Sequence, residues 1–166
     1  MLLAPYRVLD ATGPLGFLAG RILADLGADV VKVEPPGGDP SRSWPPVLPG
    51  TDGTAPQGLF WLAGNANKRG ITLDLESEEG RGLFRQLAGK ADFLLESFPR
   101  GRMGAWGLTY ESLARENPAL IMVSITPFGQ EGPYRDFQAF DLEIMALSGA
   151  MSLAGEEEGE PMRVTV

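Results

Sequence analysis

Five cations supply the first chemistry legible in this chain. Arg42, Lys68, Arg69, Arg100 and Arg102 all fall in segments that enter or leave predicted strands, where a parallel sheet gathers its ligands. Arg presents a planar fork of donors matched to phosphate oxygens, and Lys a compact point charge. Two readings of this group stand side by side: ordinary surface charges on loops, or a local anion site. Asp141 and Glu143, in the stretch Phe140-Asp141-Leu142-Glu143, are the carboxylates next in interest. They read either as first-turn acids on a helix dipole or as groups open to acylation. The chain has no His and no Cys, so imidazole base catalysis, thiolate chemistry and disulfides are all excluded, and no metal site is expected.

These residues require a scaffold, and the apolar pattern supplies one. Residues 7–11 read as a buried strand, 15–26 as a helix whose small residues permit close contact with a sheet, and Gly27 as its stop. The β-branched run 29–34 is a second strand that ends at Pro35-Pro36-Gly37-Gly38-Asp39-Pro40. Half of the 14 prolines lie in the segment 35–56, which reads as a long excursion. Trp44, Phe60 and Trp61 argue that this region is ordered. Further strands are expected at 71–75, 92–97 and 120–126, and helices at 77–88, with Ser77 as N-cap, at 109–116 and at 140–148. Gly101 and Gly104 mark a turn, and Glu156-Glu157-Glu158-Gly159-Glu160 a solvated one. Strands alternating with helices predict an α/β fold: a doubly wound, Rossmann-like parallel sheet with helices on both faces.

The 166 residues suit one domain, 1–166, able to bury roughly two-thirds of its unfolded surface. A net charge of -8 argues against nucleic acid or an anionic membrane as partner. No stretch reaches membrane-spanning length and the first residues carry no basic leader, so a cytoplasmic protein is expected.

Val8-Leu9-Asp10, the run Leu23-Ala24-Asp25-Leu26-Gly27-Ala28-Asp29-Val30-Val31-Lys32-Val33-Glu34 and the triplet Asn67-Lys68-Arg69 together resemble the opening of the family III acyl-CoA transferases, the CaiB/BaiF group. The segment Ser124-Ile125-Thr126-Pro127-Phe128-Gly129-Gln130-Glu131-Gly132-Pro133-Tyr134 is similar to that family's most specific motif. Leu95-Glu96-Ser97-Phe98-Pro99-Arg100-Gly101 resembles its turn beside the pantetheine arm, with Ser97 in place of Asn and the Arg and Pro exchanged. The resemblance implies coenzyme A or acyl-CoA as substrate, with a small carboxylic acid as second substrate and no covalently bound cofactor. It places Arg42, Asn67, Lys68, Arg69, Ser97 and Phe98, with the neighbouring Arg100 and Arg102, at the CoA site. It implies no catalytic residue here, because the family's nucleophilic Asp falls a few residues past the position matching Val166. Phe140 stands where racemase members carry a His, so proton shuttling by that route is not expected. Interlocked dimers in the family imply a homodimer, or assembly with a full-length subunit. The expected function is the CoA-binding N-terminal part of an acyl-CoA:carboxylate CoA-transferase. Two alternatives are a non-catalytic partner subunit and an NAD-type domain using Gly13-Pro14-Leu15-Gly16 and Glu34, although Gly13, Gly16 and Gly20 depart from G-x-G-x-x-G spacing.

Overall fold

A computed structural model describes residues 1–50, 56–154 and 159–163. Residues 51–55 of the proline-rich segment, and Glu156, Glu157 and Glu158 of the acidic run, lie outside the described residues. The chain forms two compact units, 1–126 and 127–166.

The first unit is built on strands β1 (Arg7–Ala11), β2 (Asp29–Glu34), β5 (Arg69–Thr72), β6 (Phe93–Glu96) and β7 (Ile121–Ser124), with a small antiparallel pair, β3 (Val47–Leu48) and β4 (Gln57–Gly58), in the excursion. The five strands form one parallel sheet in the order β5-β2-β1-β6-β7. The order follows from the connections. Helix α1 (Phe17–Asp25) carries β1 to β2, whereas α3 (Glu78–Ala88) returns the chain across the sheet to β6 on the other side of β1. Ser77 caps α3 by accepting the Gly80 N–H at 3.0 Å, and Gly27, at φ 102°, ends the turn after α1 in the left-handed region.

Strand alternation divides the apolar residues between two faces. Val8, Val30 and Leu95 pack with Ala24 and Ala28 beneath α1. Leu9, Ala11, Val33 and Leu94 pack on the other face with Phe84 and Ala88 of α3. Met103 of α4 (Arg102–Ala105) and Leu113 of α5 (Tyr110–Glu116) complete that larger cluster. Helices therefore cover both faces, as the pattern predicts.

The expected strand at 71–75 instead begins at Arg69, and it ends at Thr72. Pairing of Arg69, Gly70, Ile71 and Thr72 with Val31 to Glu34 overrides the weak strand propensity of Arg-Gly. Asp74 then turns the chain by accepting the Glu76 N–H on Oδ1. Helix α2 (Leu59–Asn65) lies where only an ordered loop is expected, with Trp61 buried against Phe17 at a centroid distance of 5.3 Å.

In the second unit, Phe128, Tyr134 and Phe137 form a ring cluster ahead of α6 (Asp141–Leu147). Asp141 and Glu143 sit in its first turn. Glu143 accepts the Phe140 N–H at 3.0 Å and Asp141 pairs with Arg163 at 2.8 Å. Glu143 thus serves the helix end, and Asp141 is the ion-pair partner of Arg163.

Candidate functional site

Because β2 and β6 flank β1 and their connections run in opposite directions, the carboxyl ends of β1 and β6 define a switch point, the place where open parallel sheets hold ligands. A cavity of about 270 Å³ opens there. Ala11, Thr12 and Gly13 line it from β1, Ser97 and Phe98 from β6, and Val33, Leu73, Leu75 and Trp106 supply apolar walls. The Ser97 hydroxyl accepts the Gly13 N–H at 2.7 Å, tying the two loops together. Buried Glu96 accepts the Phe98 N–H at 2.8 Å and fixes the turn that follows. Phe98 meets Trp106 edge to face, with centroids 5.0 Å apart. Arg102 lies 4.8 Å over the Trp106 ring and pairs with Glu76 at the cavity's rim. Arg100 is exposed in the same turn.

Arg42 comes from the short turn Pro40–Ser43 and lies beside this cavity. Its guanidinium makes a forked contact with Glu34, at 2.6 and 2.7 Å, and lies 4.1 Å over Trp61. Burial pushes the Glu34 carboxyl up, but bonds from Arg42 and the Asp39 N–H, with the charges of Arg42 and Lys32, outweigh this and hold it below its usual value. Gly38, at φ 87°, lies against the Arg42 stem, where a Cβ would crowd it. The loop after β2 is thus wound around one carboxylate.

The triplet expected to act together is divided. Lys68 is buried beneath α1, its Nζ donating to Asp10 Oδ2 at 2.8 Å and to Phe17 O and Asn65 Oδ1 at 2.9 Å each. All three of its N–H donors are used inside the protein. Asn67, at φ 62°, donates to Asp25 at 2.6 Å, and Arg69 forks onto Asp29 at 2.9 and 2.7 Å at the opposite, amino end of the strands. The structure therefore brings Ser97, Phe98, Arg100 and Arg102 to the switch point with Arg42 beside them, and sends Asn67 and Arg69 elsewhere.

Sequence reasoning gave no role to Asp10 and Lys32. Both are buried in the sheet, Asp10 at 0% and Lys32 at 2% exposure. Lys32 donates to the Thr12 carbonyl, and its ammonium stands 3.6 Å from Asp10 Oδ1. The only signal was a charged residue inside each apolar run. Gly20 belongs to the same layer, since a Cβ there would run into the Asp10 carboxylate. Burial lowers the pKa of Lys32 and of Lys68; Asp10 counters this at both, and the Lys68 charge adds to the lowering at Lys32. In the window between those lowered values and the ordinary 10.5, the unfolded chain binds more protons than the folded one. Stability is therefore expected to rise with pH across that window, read as a urea midpoint that increases as the pH approaches 10.5. A midpoint that stays flat over this range would show that the lysines keep their ordinary affinity for protons.

Among the described residues no group of three or more His, Cys, Asp or Glu is placed to hold a metal ion, and no helix is long and apolar enough to cross a membrane.

Residues 3–166 match the model of CoA-transferase family III. The chain belongs to that family. A family III relative, the succinate–glutarate CoA-transferase of Agrobacterium fabrum, is 46% identical over 99% of the chain and 42% of its own length. Subunit BbsE of the succinyl-CoA:(R)-benzylsuccinate CoA-transferase of Thauera aromatica is 44% identical, over 95% of the chain and 38% of that subunit. A solved CaiB/BaiF family protein from Brucella suis superposes with a TM-score of 0.89 at 42% identity, covering 97% of the chain and 43% of that structure. The chain spans about two-fifths of the length of these relatives. The NAD reading finds no support in the geometry either. The Gly13 N–H is taken by Ser97, and Glu34, the carboxylate a ribose would need, is taken by Arg42 and the Asp39 N–H.

Proposed function

We propose that the switch-point cavity binds coenzyme A thioesters and that the chain is the CoA-binding part of an acyl-CoA:carboxylate CoA-transferase. The observation that carries this reading is the pairing of apolar walls with guanidinium groups at one mouth: Phe98, Leu73, Leu75 and Trp106 inside, Arg102 at the rim and Arg42 alongside. CoA combines a flat adenine with charged phosphates, and such a site accepts both. The Phe98–Trp106 wall takes the ring. Arg42, Arg100 and Arg102 take phosphate oxygens, and Ser97 fixes the distance between the two loops. Asn67, Lys68 and Arg69 contribute at one remove: Lys68 supports the floor through Asp10, and the other two anchor the loop before β5.

The deciding experiment is calorimetric titration of the chain with CoA. A hydrogen bond to a charged group contributes about 1.5–3 kcal/mol, so Arg42→Ala is expected to weaken binding roughly ten- to a hundredfold. Wild-type affinity in that variant would remove Arg42 from the site. No binding by the wild-type chain would remove the reading itself.

Assembly with another subunit, either a second copy or a full-length transferase, follows from the apolar surface of the first unit. Leu15 just before α1, Leu18 and Ile22 on α1, and Ile121 and Val123 of β7 are all exposed. Sedimentation is expected to show a dimer or larger species, and a monodisperse monomer would count against assembly through this face.

A further inference from the structure

A second, smaller cavity of about 150 Å³ lies between β2, β5 and α2. Lys32, Arg42, Trp61, Asn65 and Lys68 line it, and Glu34 forms the wall it shares with the switch-point cavity. Its polar contacts do not balance. Lys68 spends its three donors on Asp10, Phe17 and Asn65. Among the described residues Lys32 donates to the Thr12 carbonyl; the Asp10 carbonyl lies at 3.5 Å and Asp10 Oδ1 at 3.6 Å, too far for good hydrogen bonds. One carboxylate, Asp10, thus faces two buried ammonium groups. The neighbouring charges do not close the deficit by contact. Arg42 pairs with Glu34, Arg21 pairs with Asp25, and Asp39 turns its carboxylate onto the Ser41 N–H and hydroxyl. Buried cations are compensated by an opposite charge or pay heavily.

We propose that this cavity holds a small monovalent anion, a halide or a one- or two-carbon carboxylate, bound by the Lys32 ammonium. Trp61 and Asn65 line the site, and its volume exceeds the roughly 30 Å³ share of a single water. It adjoins the proposed CoA site, with Glu34 as the shared wall and Arg42 beside both, although none of the apolar walls of the larger cavity enters it. Because Lys32 also holds the Thr12 carbonyl, an anion here fixes the ammonium that positions the β1 end of the switch point.

The test melts the whole chain in potassium gluconate while chloride or formate replaces gluconate at constant ionic strength. The expected result is a saturating rise in the melting temperature of several degrees. Chloride-35 resonance is expected to broaden in the presence of the protein and to narrow again when formate competes. Lys32→Met is expected to lose both effects. Should that variant fail to fold, the wild-type chain still decides, through the broadening, its competition by formate, and a bromide peak beside Lys32 in anomalous maps of crystals grown in bromide. A linear, unsaturated response shared by wild type and variant would overturn the proposal. So would absent broadening, or nitrogen resonances showing Lys32 as a neutral amine at pH 7 in saturating chloride.

Discussion

Asp10→Asn is expected to cost about 3–5 kcal/mol, the loss typical of breaking a buried ion pair from one side. The substitution keeps the shape of the side chain and the Oδ1 that accepts the Thr12 N–H at 3.0 Å and hydroxyl at 2.6 Å, so it isolates the charge. What it removes is the counterion of Lys68 at 2.8 Å and of Lys32 at 3.6 Å, both buried under α1. A chain of this size is stable by about 5–15 kcal/mol, and each kcal/mol moves the melting temperature by roughly 2–4 °C. A fall of about 6–20 °C follows from those ranges. The informative partner is Lys68→Met in the same background, which removes one of the two stranded charges. The double variant is expected to regain part of the loss, giving a favourable coupling between the two sites in a double-mutant cycle. Melting of Asp10→Asn within about 2 °C of wild type would mean that the ammonium groups are compensated without the Asp10 charge.

That knot also shows where sequence reading stops. The helix α1, the strand β2 and the helix α3 were legible because each is an apolar or amphipathic run bounded by a local signal, Gly27, Pro35 or the Ser77 cap. Helix α2 was not, since it follows the proline-rich segment and starts at Gly58 with no side-chain cap. For the site, the turn 95–101 was legible as a unit because its contacts are largely local, Glu96 to Phe98 above all. The triplet at 67–69 was not, for two reasons. Strand alternation sends Lys68 and Arg69 to opposite faces once the strand starts at Arg69 rather than 71, and the partner that buries Lys68 is Asp10, 58 residues away. A resemblance locates such residues along the chain. Only the register decides which of them faces a ligand.

Trp106→Ala is expected to weaken CoA binding by roughly five- to 150-fold, the equivalent of about 1–3 kcal/mol for loss of one ring against a base. Trp106 closes the apolar side of the switch-point cavity, is held edge-on by Phe98, and donates through Nε1 to Glu76 at 3.3 Å. It also carries Arg102 at 4.8 Å over its face, so truncation removes a stacking surface and frees a guanidinium at the same time. Three ligands separate these contributions. Pantetheine, which lacks the adenosine, the ribose phosphate and the diphosphate, is expected to bind wild type and variant alike. Dephospho-CoA retains the ring and the diphosphate, and its loss is expected to equal that of CoA if stacking is the cause. A loss seen with CoA and much reduced with dephospho-CoA would instead trace the effect to Arg102 and the ribose phosphate. Arg102→Gln, which leaves the ring in place, is the control that keeps these outcomes apart: it is expected to lower affinity for CoA without changing the contrast between dephospho-CoA and pantetheine. Equal loss for all three ligands in Trp106→Ala would place the adenine outside this cavity and overturn its assignment as the ring site.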